Sequence, residues 1–407
     1  MTTQERSQQK SFAAKRRALE DAAYRQGLHP TRVFPVLFPV HEVEVRATTR
    51  VGRPYGLIDK FLERSIAEGG ITTITDLTDF LGLDAVLVDR AVRVLRRIGH
   101  LRPHDDELVL TPLAHESLSD GTRYEIRREE RRKIYFDGFQ SQPLHRRHYE
   151  DSSAFLTPVE AETRAKKERF SQLLSTRPFR KDALTALEKH PERGKFNLPL
   201  TVENPREVQP EYVFLPVYLV RAIARGGHVR YLAYDEANVG ELDEGLSELC
   251  TQQPEIARAL QNETPSVAEQ KYSVQKWLDK NAPSGRSPFQ HPDGSWQVNF
   301  APEDFEPVGS RSVRDVGSFV DLRTVVVRMW CQDHEVRRRA LLERVESQLD
   351  RFRYKQQERA DELRMTGDQL EFPGLDESRL RALAAEAGRS DLVDRLDQVV
   401  GTPAQDT

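Results

Sequence analysis

The chain has 407 residues, 38% hydrophobic and 31% charged, with a formal net charge of -4. That length suits two or three folding units at roughly 150 residues each, and a mean hydropathy of -0.65 without a long apolar run excludes a membrane-spanning helix. Two distant cysteines, Cys250 and Cys331, exclude a disulfide framework and a thiolate zinc site, leaving two buried or semi-buried thiols. The amino terminus lacks the apolar stretch of a secretory signal, so a cytoplasmic location is expected.

Residues 1–32 read as a basic arm, either helical or partly disordered, because Phe12, Ala13, Leu19 and Tyr24 are too sparse for an apolar stripe. The period then changes. Val43, Val45 and Ala47 alternate with Glu42, Glu44 and Arg46, as in a half-buried strand. Pro35 and Pro39 each remove a ladder donor and predict an edge strand or an extended arm.

Three helical patterns follow. Leu57, Ile58, Phe61, Leu62, Ser65 and Ile66 share one helical face, which Gly69-Gly70 ends. Thr72 or Thr73 caps a second helix with Ile74, Leu77, Phe80 and Leu81 inward. Gly82 turns the chain, and Asp84 caps a third helix whose buried side is Leu87, Ala91, Val94, Leu95 and Ile98. Past Gly99, short strands around His100-Leu101-Arg102 and Leu108-Val109-Leu110 flank the acidic turn Pro103-His104-Asp105-Asp106. Thr111-Pro112 opens a further helix, cap residue first.

From Ile71 through Leu118 this run resembles the winged helix-turn-helix superfamily. Its bacterial members often carry a Leu-Gly-Leu turn before the third helix, a Gly-His-Leu or Gly-Leu-Leu lead into the wing, and a Leu-Thr-x-x-Ala/Gly segment. Here these stand as Leu81-Gly82-Leu83, Gly99-His100-Leu101 and Leu110-Thr111-Pro112-Leu113-Ala114. The resemblance is confined to residues 55–118 and implies a three-helix bundle with a β-wing, whose usual partner is duplex DNA. Residues 133–149 also resemble the strand that follows such a domain in bacterial phage-defence and phospholipase-D-like proteins. The His-x-Lys-x4-Asp pattern of the latter occurs nowhere in the chain, so no phosphodiesterase activity is carried over.

Beyond 150, residues 156–190 are charged and helical in pattern, and 191–211, rich in Pro, Glu and Asn, read as a linker. Strands are expected at 212–220, 228–234, 296–300 and 321–330. Helices are expected near 243–260, 266–280, 334–363, 376–387 and 389–400. Leu341, Val345, Leu349 and Phe352 in the long helix fit packing on its own domain, because the pattern lasts barely three heptads. The resulting fold class is α+β. It comprises a basic arm at 1–32, a winged helix-turn-helix with flanking strands at 33–150, a charged helical extension and linker at 151–211, and a mixed α/β domain at 212–407.

Arg90, Arg93 and Arg97 share a face of the third helix at i, i+3 and i+7, with Arg96 beside them. Such a stripe suits phosphate neutralisation. Arg127, Arg128, Arg131 and Arg132, interleaved with Tyr124, Tyr135, Phe136 and Phe139, suit a supporting nucleic-acid contact; a charged strand or helix with its aromatics in the core is the favoured account of the same stretch. Against base reading, the first turn of the third helix offers Asp84, Ala85, Val88 and Asp89, and the wing is acidic at Asp105, Asp106 and Glu107. No phosphate loop, dinucleotide fingerprint, zinc-protease helix or nucleophile elbow is present, and no metal or other cofactor is expected. The expectation is a non-catalytic DNA-binding protein of a regulatory, genome-defence or repair assembly. The alternative is a scaffold subunit contacting a protein partner or a second copy. A third reading is a metal-dependent nuclease using strand-end carboxylates such as Asp235 and Asp321.

Overall fold

The computed structural model describes residues 3–104, 107–149, 154–199, 201–224, 226–236, 241–281, 286–352 and 356–400, the side chains of 3–10, 103–104, 127–130, 203–204, 207, 350–352, 356–358 and 399–400 excepted. The amino-terminal segment takes the helical alternative as α1 (Thr3–Glu20), and Ala14, Ala18 and Leu19 are buried. After one π-helical turn the chain enters β1 (His29–Pro54). This strand is interior, lying between two others, and Val33 to Phe38 are buried throughout. The edge expectation therefore fails, and the prolines show why. Arg32 pairs with Val325, Val36 and Leu37 pair with a second strand, and from Val40 onward the partner is a third. Pro35 and Pro39 fall where the partner on this flank of β1 changes, so their missing donors interrupt no ladder there.

Next come α2 (Leu57–Gly69), α3 (Ile74–Leu81) and α4 (Ala85–Arg97). Gly70 and Gly82 end the first two in left-handed conformation, which a Cβ disfavours. The Thr73 and Asp84 side chains accept from Asp76 N and Val86 N, capping the next helix in each case. A two-stranded ribbon, β2 (Leu101–His104) with β3 (Glu107–Leu110), pairs Leu101 with Leu110. Then α5 (Pro112–Asp120), capped by Thr111, leads into β4 (Thr122–Asp137). β4 runs antiparallel to β1 from Pro54↔Thr122 to Val40↔Asp137, with a register shift between Ala47 and Thr49.

The rest of the chain holds α6 (Pro158–Glu168), β5 (Ser171–Gln172), α7 (Ala183–Glu188), β6 (Val202–Ile223) and β7 (Val229–Asp235). After them come α8 (Glu244–Gln252), α9 (Pro254–Asn262), α10 (Val267–Asn281), β8 (Pro288–Gln290) and β9 (Trp296–Phe300). Of the linker expected at 191–211, residues 202–211 are instead the first half of β6. The single strand expected at 321–330 is a hairpin, β10 (Phe319–Leu322) and β11 (Val325–Cys331), reversed at Arg323 with φ 68°. Four helices close the described chain: α11 (His334–Phe352), α12 (Gln356–Gln369), α13 (Glu377–Glu386) and α14 (Ser390–Val400).

The fold is mixed α/β, and its compact units are not consecutive in sequence. One comprises 1–38, 153–174 and 214–407, the other 39–152 and 175–213. β1 and β6 each contribute residues to both units. In the first unit the sheet runs β7-β6-β1-β11-β9-β8, with β10 on β11 and β5 on β1. Its core gathers Trp296, Val298, Val327 and Trp330 with Val336, Leu341, Val345 and Leu349 of α11, so α11 packs on its own unit. Cys250 and Cys331 are buried and form no disulfide. In the second unit α2 to α5 and the ribbon surround Leu62, Leu77, Val88, Val92 and Leu95, and the paired halves of β1 and β4 cover Leu184, Leu187 and Leu198 with Val43, Val45, Ile134 and Phe136. Among the described residues no helix is long and apolar enough to cross a membrane.

Candidate nucleic-acid interface

The second unit presents α4 outward. Its buried stripe is Val88, Val92 and Leu95 at i, i+4 and i+7; of the expected Leu87, Ala91, Val94, Leu95 and Ile98, Leu95 and Ile98 are buried and Ala91 packs against the core, whereas Leu87 is exposed and Val88 and Val92 take the inward places. Apolar residues occupy 85–88, 91, 92, 94 and 95, so helical spacing alone admits both phases and packing selects one. The selected phase turns Val88 inward, away from any base edge, and leaves Val86 and Leu87 exposed.

Arg90, Arg93, Arg96 and Arg97 are all exposed. Arg93 is held by Asp89 one turn earlier, at 2.7 Å. Arg90, Arg96 and Arg97 have no ion pair among the described residues. Arg96 and Arg97 occupy the last turn, where cations favour the carbonyl end of the helix dipole. That end is tied to β4 by the hydrogen bond from Ile126 N to Ile98 O, at 3.2 Å.

The supporting arginines of β4 fare differently. Arg131 is paired to Glu44 across the strand at 3.0 Å, Arg132 is half-buried, and the Arg127 and Arg128 side chains lie outside the described residues. Neighbouring cations are neutralised too. Lys133 meets Glu42, Arg50 meets Glu116 while lying over the Tyr124 ring, and Arg123 is shared between Asp59 and Glu125. Tyr135, Phe136 and Phe139 are buried, and so unable to stack on bases. The wing carboxylates Asp105 and Asp106 fall outside the described residues, whereas Glu107 is exposed. Of the expected contact arginines whose side chains are described, Arg90, Arg96 and Arg97 of α4 are the exposed ones without an ion pair among the described residues.

Beneath that surface lies a polar pair that helical patterning does not signal. Glu63 and His100 are fully buried and hydrogen-bonded through Nδ1, and His100 Nε2 meets the Tyr124 carbonyl. Tyr55 donates its hydroxyl to the other Glu63 oxygen at 2.7 Å. Burial, then that hydrogen bond, push the Tyr55 hydroxyl above the ordinary tyrosine range. The network ties α2, the lead into β2 and the start of β4 together, fixing the bundle that carries α4. One clue was available in the sequence: Glu63 sits on the same face as Leu62 and Ile66, where an acid is out of place.

No protein family, curated protein or solved structure matches the chain. The carboxylates considered for a nuclease are placed as follows: Asp235 is buried on β7 opposite Val217, and Asp321 pairs with Lys15 at 2.7 Å. His148 is buried and His145 packs edge-on to Phe196. Among the described residues no three His, Cys, Asp or Glu side chains are grouped to hold a metal ion.

Proposed function

We propose that residues 55–118 form a winged helix-turn-helix and that the chain is a non-catalytic DNA-binding protein of a regulatory, genome-defence or repair assembly, with α4 as its contact with duplex DNA. The observation that carries this reading is the set of three exposed guanidinium groups, Arg90, Arg96 and Arg97, with no ion pair among the described residues, on a helix whose opposite face is core. Phosphate contacts of this kind position a protein on DNA without reading its sequence. Three of them contribute roughly 2.7 to the slope of log affinity against log salt. Mobility-shift titration of the full chain across graded salt tests this. Replacing the three arginines by Ala should weaken binding and flatten that slope by two to three, to the precision of about 0.9 per contact. Unchanged affinity and slope refute it.

The second reading, a scaffold subunit, is favoured by one specific feature. Phe80 and Val86, 66% and 73% exposed, lie on either side of the α3–α4 turn, where base contacts would be made, with Leu87 beside them. Large exposed apolar side chains so close together suit a protein surface better than base edges. Absence of any DNA retardation at low salt, with association lost on changing Phe80 to Asp, is the outcome that would favour it.

A further inference from the structure

The first unit contains a cleft of about 890 Å³, lined by residues of α1, α6, β5, the α9–α10 connection, α10 and the β10–β11 hairpin. Asp321 lies in its wall with only 9% of its side chain exposed. Its Oδ2 accepts from Lys15 Nζ, whereas Oδ1 is buried and has no hydrogen-bond partner. A buried carboxylate oxygen without a donor is costly, and a donor brought by a ligand would relieve that cost. Two exposed arginines, Arg169 and Arg323, line the same cleft, and neither has an ion pair among the described residues. Both have left-handed backbone, φ 60° and 68°, a conformation uncommon for residues other than glycine. The Tyr272 ring, 68% exposed, forms another part of the lining.

The remaining carboxylates are partly accounted for. Glu168 is engaged by Arg164, and Glu269 folds back on Ser266, which leaves Glu263. The unmet requirements of the cleft are thus one hydrogen-bond donor at Asp321, an anion at two guanidiniums, and a flat partner for an aromatic face. A free amino acid offers the first two but not the third, and is small for this volume; ligand sites for larger molecules span about 300–1,000 Å³.

We propose that this cleft binds a nucleoside phosphate. The base stacks on Tyr272 and gives an N–H to Asp321 Oδ1, and the phosphate is held by Arg169 and Arg323. Base–aromatic stacking and guanidinium–phosphate pairing are general features of such sites. The proposal does not depend on duplex binding by α4.

Calorimetric titration of the full chain with AMP, CMP and GMP, and in parallel with ribose 5-phosphate and inorganic phosphate, tests it. The expected result is saturable binding of at least one nucleotide, at least tenfold tighter than ribose 5-phosphate. Asp321→Asn and Tyr272→Ala should each weaken nucleotide binding about tenfold and leave the phosphate arms unchanged, whereas R169A/R323A should weaken every ligand. Tyr272 is largely exposed, so its variant reports on the site even if Asp321→Asn impairs folding. The Arg90, Arg96 and Arg97 triple variant should retain nucleotide binding, separating this proposal from that for α4. No nucleotide binding, equal binding of inorganic phosphate, or nucleotide binding indifferent to both Asp321→Asn and Tyr272→Ala overturns the proposal.

Discussion

Replacing His100 by Leu is the sharpest test of how the second unit holds α4 in place. Both His100 and Glu63 are fully buried, and the ring bridges the Glu63 carboxylate and the Tyr124 carbonyl. Leucine fills much of the ring's volume but offers neither group a donor. Glu63 keeps only the Tyr55 hydroxyl. Removing one member of a buried pair costs about 3–5 kcal/mol, because the polar group left behind stays buried without compensation. The retained tyrosine hydrogen bond places the expected loss near the lower end, about 3 kcal/mol, and the orphaned Tyr124 carbonyl adds about 1 kcal/mol. The assay is hydrogen exchange on the full chain, read at amides of α2 and α4. A loss of about 4 kcal/mol raises the local opening constant by nearly three powers of ten. Glu63→Met alone should be similarly damaging, since it strands His100. The double variant Glu63→Met/His100→Leu should recover much of the loss, because an apolar pair of similar volume is often neutral against a buried ion pair. Single variants costing under about 1 kcal/mol, or a double variant whose cost is the plain sum, would refute the buried-pair reasoning.

Three further outcomes follow from named contacts. Asp89→Ala frees Arg93 from its 2.7 Å ion pair, so duplex affinity should rise and the salt slope steepen by about 0.9, measured by mobility shift; weaker binding would contradict the role given to α4. Burial pushes the Asp321 carboxyl up to about 6, with Lys15 pulling it back only in part. A carboxyl whose folded value lies above its ordinary 3.8 binds more protons in the folded chain, so its contribution to stability is present below about pH 4 and lost as pH rises through about 6. The unfolding free energy of the wild type relative to Asp321→Asn should therefore fall by about 3 kcal/mol across that window, and denaturant titrations showing a flat difference would refute the raised value. A Cβ at Gly309 would lie 2.2 Å from the Asp304 carbonyl carbon and oxygen. Gly309→Ala should displace the loop, weaken the Arg286–Asp304 pair and cost about 1–3 kcal/mol in thermal or denaturant unfolding; an unchanged midpoint would show that the loop yields freely.

Much of the local structure was legible because local chemistry dictates it. Gly70 and Gly82 end helices where the backbone must turn left-handed, and Thr73, Asp84 and Thr111 cap helices by bonds spanning two or three residues. The boundaries of α2 to α5 and of α13 and α14 follow from such signals. Legibility failed where one pattern admitted two arrangements. The apolar residues of α4 permit two buried phases, and the choice between Leu87 and Val88 was made by what packs against them. Pro35 and Pro39 exclude a continuous ladder but permit a strand that changes partners. The charged, Pro-bearing start of β6 looks like a linker because its pairing is not local in sequence.

For the candidate sites, the four α4 arginines were visible as residue types at helical spacing. Which candidate arginines keep a free charge depended on neighbours: Asp89 claims Arg93 on α4, and Glu44 claims Arg131 on β4. The Glu63–His100 pair joins residues 37 positions apart, and the Asp321 cleft draws on segments as distant in sequence as Lys15 and Val325. Side-chain chemistry and short-range backbone preference are properties of the sequence by itself. Burial, charge pairing and the assembly of a cleft arise only when distant segments are brought together, and here tertiary packing alone decided them.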